Sequence, residues 1–201
     1  MAYQLLLATR NRGKIEEFRR ILEALAPGEI ELLGLDAFPD THDVIEDGAT
    51  FTENALKKAR EMSLATGIAA IADDSGLCID ALNGDPGIYS ARWAGKNKDF
   101  RLAIKKVYSK LKKKKKLNKI NSARFYCSLA IAFPNGMHKT FSGIVKGKIS
   151  EKPKGNNGFG YDPIFIPNGY KKTFGEMKAS LKDKISHRYK AFNKIKRYFK
   201  Y

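Results

Sequence analysis

The chain has 201 residues, 43% of them hydrophobic, including 12 Phe and 9 Tyr. That suits one large domain or two small lobes sharing a core, and it excludes wholesale disorder. Against 21 Asp+Glu stand 38 Lys+Arg, a formal net charge of +17, which suits nucleic acid, an acidic surface or a polyphosphate substrate as partner.

The opening "MAYQLLLATRNRGK" lacks the basic n-region and long apolar run of a signal peptide. No apolar run approaches the roughly 18–20 residues that span a bilayer, so a soluble, cytoplasmic protein without membrane contact is expected. "YQLLLAT" reads as a buried strand, followed by a polar, flexible "RNRGK". Ile15, Phe18, Ile21, Leu22 and Leu25 then recur at helical spacing until Pro27-Gly28 stops them. "EIELLGL" is a second strand. Next comes a helix opened by a Thr50/Glu53 capping box and closed by Gly67 in a left-handed conformation.

"IAAIA" reads as a buried strand and "LCIDAL" as another, separated by a turn at "DDSG". "KDFRLAIKKVYSKLK" is helical, and "ARFYCSLAIAF", "PNG" and "MHKTFSGIVKGKI" form a long hairpin. "DPIFIP" is a short strand, and "KDKISHRYKAFNKIKRYF" one final helix. Cys78 and Cys127 lie in apolar runs and read as buried, reduced packing residues. Much of the charge sits in "KLKKKKKLNK", Lys110 to Lys119, and in "KAFNKIKRYFK" near the C-terminus. These read as solvated ends and loops, with a weak nucleic-acid affinity open to the lysine run.

Four segments carry candidate chemistry. Asp73 and Asp74 repel each other unless a cation or donors neutralise them. A hard ion such as Mg²⁺ takes carboxylates and completes its shell with water and substrate phosphate; the alternative is an Asx-turn before Gly76. Thr9 to Lys14 lies at a strand-to-helix junction, where backbone N–H groups with Arg10, Arg12 and Lys14 suit an anion such as a triphosphate. Asn54 and Lys58, four apart, share a helix face near Glu46 and Glu53. Finally, "NNGFGYDPIF" joins glycines that admit a ligand to aromatics that stack on a flat base, and "SHR", Ser186 to Arg188, sets donors at a helix start.

Taken in order, "ATRNRGK", "EDGATFTENALKKA", "IADDSGLCIDALNGDPGIYSARWAG", "ARFYCSLA", "GFGYDPIF" and "ISHRYKA" resemble the Ham1/inosine triphosphate pyrophosphatase family from about Leu5 to Ala191. The resemblance implies an α/β fold, with two lobes around a long, curved mixed sheet, flanking helices and a central cleft. The whole chain, 1–201, would form that single two-lobed domain. It implies a homodimer that hydrolyses non-standard purine nucleoside triphosphates (those of inosine, deoxyinosine and xanthosine) at the α–β phosphate link, cleansing the nucleotide pool. Mg²⁺ would be required, with Mn²⁺ as a substitute.

By position, the resemblance implies that Thr9, Arg10, Asn11, Arg12, Gly13 and Lys14 hold the triphosphate, with Asn11 and Lys14 in direct contact and Lys58 nearby. Glu46 and Asp74 would bind the metal, with Asp47 the alternative to Glu46, and Asp74 would be the general base. Ser75 would touch substrate, and Phe159, Gly160, Tyr161 and Asp162 would cradle base and sugar. Lys182, His187 and Arg188 would read the purine's 6-oxo group.

Overall fold

The computed structural model describes residues 2–116, 119 and 121–199, with side chains described as far as Ile195. Leu117, Asn118 and Lys200, which belong to the two basic stretches, lie outside the described residues. In chain order come β1 (Tyr3–Leu7), α1 (Arg12–Leu25), β2 (Ile30–Leu33), α2 (Phe51–Thr66), β3 (Ala70–Ile79) and α3 (Phe100–Lys113). They are followed by β4 (Ser122–Ala132), β5 (His138–Ile149), β6 (Phe165–Pro167), α4 (Ala179–Ile185) and α5 (His187–Phe199). Among the described residues the strands form one six-stranded sheet, ordered β2-β1-β3-β4-β5-β6. It is mixed: β1 runs parallel to β2 and β3, while β5 and β6 are antiparallel.

The chain divides into two compact units. The first comprises Met1–Asp74, Cys127–Gly143 and Arg188–Tyr201; the second comprises Ser75–Tyr126 and Ile144–His187.

In the first unit the strands are apolar on both faces, as buried parallel strands must be. Alternation sends the two sets of side chains to different helices. Leu5, Leu7, Ile71, Leu129 and Ile131 pack with Phe18, Ile21 and Leu22 of α1 and with Phe192 and Ile195 of α5. There Phe18 and Phe192 meet edge to face at 4.7 Å. Leu6, Ala70, Ala72, Ala130 and Ala132 face the other way, onto Ala55, Ala59 and Met62 of α2. So many alanines on both surfaces leave little side-chain bulk between α2 and the sheet. Thr50 caps α2 by accepting from Glu53 N (3.1 Å), and Gly67 ends it at φ +69°. The Glu53 carboxylate turns to Ala49 N (2.8 Å).

The second unit has its own core. Leu77 and Ile79 of β3, Phe125 of β4 and Val145 and Ile149 of β5 pack with Ala103, Ile104, Val107 and Leu111 of α3 and with Phe165 and Phe174. Phe125 and Phe165 lie 4.7 Å apart, tilted edgewise. Cys78 and Cys127 are both buried thiols, not joined in a disulfide. Among the described residues no helix is long and apolar enough to cross a membrane.

Two expected elements differ. There is no turn at "DDSG", because β3 runs unbroken from Ala70 to Ile79. The single final helix is two, since Ser186 is extended (φ −66°, ψ 161°) between α4 and α5. Its N–H closes α4 on Lys182 O at 2.8 Å, leaving its side chain at the position where serine favours the start of a new helix.

Candidate active site

At the end of β1 the chain turns into α1 through Asn11, whose Oδ1 accepts from Lys14 N (3.2 Å) while its own N–H donates to Thr9 Oγ1 (3.2 Å). The helix therefore starts inside the stretch expected to be a loop. It leaves the N–H groups of Arg12 and Gly13 in the first turn, where no intrahelical acceptor exists. The three cations of this segment separate. Arg10 leaves for Asp43 (Nε–Oδ1 2.9 Å) and Thr41 O (3.0 Å), and Arg12 is exposed. Lys14 reaches the buried Asp73, with Nζ 2.9 Å from Oδ1 and 3.4 Å from its carbonyl.

β3 supplies the acidic pair, and strand alternation parts it. Asp73 shares the parity of Ile71, on the side of α1 and α5, whereas Asp74 shares that of Ala70 and Ala72, on the side of α2. Asp73, 1% exposed, takes Lys14 on one oxygen and Arg188 Nε (3.3 Å) on the other. The same Arg188 places Nη1 3.0 Å from the buried Glu17 Oε2. Asp74, 5% exposed, accepts from Asn54 Nδ2 at 3.0 Å. Asn54 Oδ1 in turn accepts from Gly48 N (2.8 Å), which ties the segment carrying Glu46 to α2. A Cβ at position 48 would stand 2.8 Å from that oxygen, so only glycine fits.

Lys58, one turn after Asn54 on the same face, is buried, ion-paired with Glu46, and donates to Asp73 O at 2.8 Å. Burial works to lower its pKa, but Glu46, Asp73 and Asp74 outweigh it and the net shift is upward. Burial pushes the Asp74 carboxyl above the ordinary aspartate range; Lys58 and Lys14 pull it back, and the like charge of Glu46 adds to the rise. Asp47 is paired instead with Lys57 (2.7 Å) on the surface.

In the second unit Lys182 Nζ lies 2.6 Å from Asp162 Oδ2, both side chains almost fully buried. That oxygen also accepts from Phe159 N (2.8 Å). The ammonium stands 4.8 Å from the centre of the Phe159 ring, a cation–π contact. Gly158, at φ +73°, makes the loop possible, since a Cβ there would fall 2.0 Å from Asp162 Oδ2. Tyr161 donates to Ser90 O (2.9 Å), and burial raises its pKa. Its ring meets Phe100 edge to face at 5.4 Å, with Gly160 at φ +66° beside it. His187 is 2% exposed and stacked on Phe125 at 4.8 Å. Ser75 is half-buried at the start of the unit.

The expected residues thus form two groups. Lys14, Glu46, Lys58, Asp74 and Arg188 belong to the first unit, and Phe159, Gly160, Tyr161, Asp162, Lys182 and His187 to the second. Three further buried residues join the first group: Asp73 and Asn54, which lie in the candidate segments but were given no role by the resemblance, and Glu17, which the sequence did not single out. Asn54 was signalled by sharing a face with Lys58; Glu17, on an otherwise ordinary amphipathic helix, had no signal.

The donors around Asp74 suit a hard cation. Glu46 and Asp74 offer only carboxylate oxygens, and lie close enough for Glu46 to raise the Asp74 pKa. Among the described residues no group of three or more His, Cys, Asp or Glu forms a closed metal cage. Two carboxylates fit an ion that keeps several waters and shares a substrate's phosphates.

A mixed six-stranded sheet flanked by helices, with a buried carboxylate–lysine cluster beside a strand-to-helix junction, places the protein in the α/β class. The Ham1 family model matches residues 5–198, and the chain belongs to the Ham1 family. It is 46% identical over 192 residues to a dITP/XTP pyrophosphatase of Streptomyces avermitilis, covering 96% of this chain and 94% of that protein. The Bacillus subtilis protein of the same name is 46% identical over 190 residues, covering 94% and 93%. Among solved structures, a Ham1 protein from Coxiella burnetii superposes with a TM-score of 0.86 at 37% identity, covering 98% of both chains. The Staphylococcus aureus Ham1 protein does so with a TM-score of 0.83 at 39% identity, covering 98% and 97%.

Proposed function

We propose that the chain hydrolyses non-standard purine nucleoside triphosphates, those of deoxyinosine, xanthosine and inosine, to the monophosphate and pyrophosphate. The relatives that share 46% of its residues carry the first two substrates in their names. The observation that carries the reading is the Asp74 carboxylate, buried, held by Asn54, and set among Lys58, Lys14 and Glu46.

In this reading Lys14 and the first-turn N–H groups of α1 hold phosphate oxygens, with Thr9 to Gly13 shaping the turn. Lys58 orients Glu46 and offsets charge on the departing pyrophosphate. Asp74 accepts the proton of the attacking water; its raised pKa makes it a better base than a surface aspartate. Glu46 and Asp74 would hold Mg²⁺ (or Mn²⁺), which when bound would lower the pKa of a water and neutralise phosphate charge. Arg188, held on Glu17 and Asp73, serves chiefly to fix Asp73. Reading of the 6-oxo group passes to Lys182 and His187, with Phe159 available to stack on the base and Ser75 and Tyr161 beside it in the same unit. A purine with a 6-amino group offers a donor where Lys182 also donates, and a site built on such a bond rejects the mismatch by roughly 10⁴-fold. Cleavage at the α–β link, a homodimer and a single catalytic domain over 1–201 complete the proposal.

The test is Asp74→Asn with inosine, deoxyinosine and xanthosine triphosphates, measuring pyrophosphate against orthophosphate. Turnover is expected to fall by roughly 10²–10⁴-fold with the circular dichroism spectrum unchanged. Parental turnover in that variant, or orthophosphate as the first product, would overturn the reading.

A further inference from the structure

The positive charge of this chain is not spread over it. Residues of the second unit number 23 Lys+Arg against 7 Asp+Glu, a formal +16; those of the first number 15 against 14, a formal +1. The two units are translated from one message, so a general lysine bias of the source would have marked both. Nor does the excess belong with the proposed substrate's phosphates, because Thr9 to Lys14 and Lys58 are all residues of the near-neutral first unit.

Within the second unit the charge concentrates on α3 and the turn after it. The buried face of α3 is Ala103, Ile104, Val107 and Leu111, and its exposed side carries Arg101, Lys105, Lys106, Lys110, Lys112 and Lys113. Lys114, Lys115 and Lys116 continue the band in the turn, all exposed. Arg101 is matched by Asp99 (3.1 Å) and Lys110 by Asp85 (2.8 Å). Among the described residues Lys105 and Lys112 to Lys116 form no ion pair. Arg101 and Lys105 also rim a groove of about 450 Å³ with Ile104, Tyr108 and Pro153, which extends the band to the start of the helix.

We propose that this band is a sequence-independent binding surface for nucleic-acid phosphate. A 14-residue helix is about 21 Å long, and duplex DNA carries one charge per about 1.7 Å of axis, so the band spans several phosphates. The cations are almost all lysines, flexible point charges without the planar fork that reads a guanine edge. Trp93, the one tryptophan of the chain, is no stacking platform, since Lys106 and Lys110 hold their ammonium groups 4.6 and 4.7 Å from its ring. Binding therefore rests on the backbone and is steeply salt-dependent. It does not depend on the pyrophosphatase reading.

The test compares the full chain with a variant carrying Lys112→Gln, Lys113→Gln, Lys114→Gln, Lys115→Gln and Lys116→Gln. Fluorescence anisotropy follows a labelled single-stranded RNA and a duplex DNA, each of about 20 residues, as KCl rises. The parent is expected to bind both, with log K falling linearly in log salt, and the variant's slope on the duplex to be shallower by about 4. Hydrolysis of inosine triphosphate by the variant is expected to match the parent's. Equal slopes, or no binding by the parent at low salt, would overturn the proposal. So would tighter binding to phosphatidylserine vesicles, or a loss of hydrolysis in step with the loss of binding.

Discussion

In an extended strand each side chain leaves by the face opposite its predecessor's, and in β3 that rule applies to two aspartates. Asp73 goes to Lys14 and Arg188, Asp74 to Asn54. Their energetics differ accordingly. Removing one partner of a buried ion pair strands the other, at about 3–5 kcal/mol, so Asp73→Asn should lower the free energy of unfolding by that much in urea titrations. Asp74 runs the other way. Because burial raises its pKa, the stability this carboxyl contributes is complete below the ordinary aspartate value and is lost as pH rises through the raised one. Asp74→Asn is neutral at every pH. In EDTA its Tm should exceed the parent's at pH 7, and the gap should close on acidification; a lower Tm at pH 7 would contradict the placement of Asp74. The adjacency of the pair was plain in the sequence. The resemblance singled out Asp74, but that Asp73 is the one tied to Lys14 and Arg188 was not legible, because it depends on the parity of a strand whose continuation through "DDSG" could not be read locally.

At the scale of elements, α2 and its alanine-lined seat position Asn54 and Lys58. Ala59 is fully buried against Ala70 and Ala72 on the sheet side. Ala59→Leu forces extra methylenes into this contact, at about 1–3 kcal/mol, and lifts the helix from β3. We expect kcat to fall more than urea stability alone explains, since Asn54 and Lys58 move away from Asp73 and Asp74; unchanged kinetics would show that the seat does not set the site. Most elements were legible: the β1 run, both long amphipathic helices, the hairpin and the Thr50 cap. The two misreadings have different causes. Asp, Ser and Gly favour turns in isolation, yet here ladder partners and cations hold them extended. Across Ser186 the apolar spacing looks continuous, yet the chain changes direction there.

For the molecule as a whole, the path of the chain matters more than any one contact. It passes between the units at Asp74/Ser75, Tyr126/Cys127, Gly143/Ile144 and His187/Arg188, so each unit is assembled from separate stretches. Three of those passages lie inside β3 or β5 or between adjoining strand residues of β4, where the backbone is tied into one sheet. Unfolding should be one cooperative event. Phe165→Ala, in the core of the second unit, should cost about 3–5 kcal/mol. Trp93 fluorescence, from the second unit, and hydrogen exchange of β1, in the first, should shift together; separate transitions would show two independent bodies.

The pairing of Glu17 with Arg188 joins residues 171 positions apart, one near each end of the chain. A ribosome releases the acid long before the guanidinium. Until α5 emerges, Asp73 has Lys14 but not Arg188, and closing the first unit would bury Glu17 without the guanidinium that faces it in the folded protein. A nascent chain stopped short of Arg188 should therefore be cut by proteases more readily than one that carries α5.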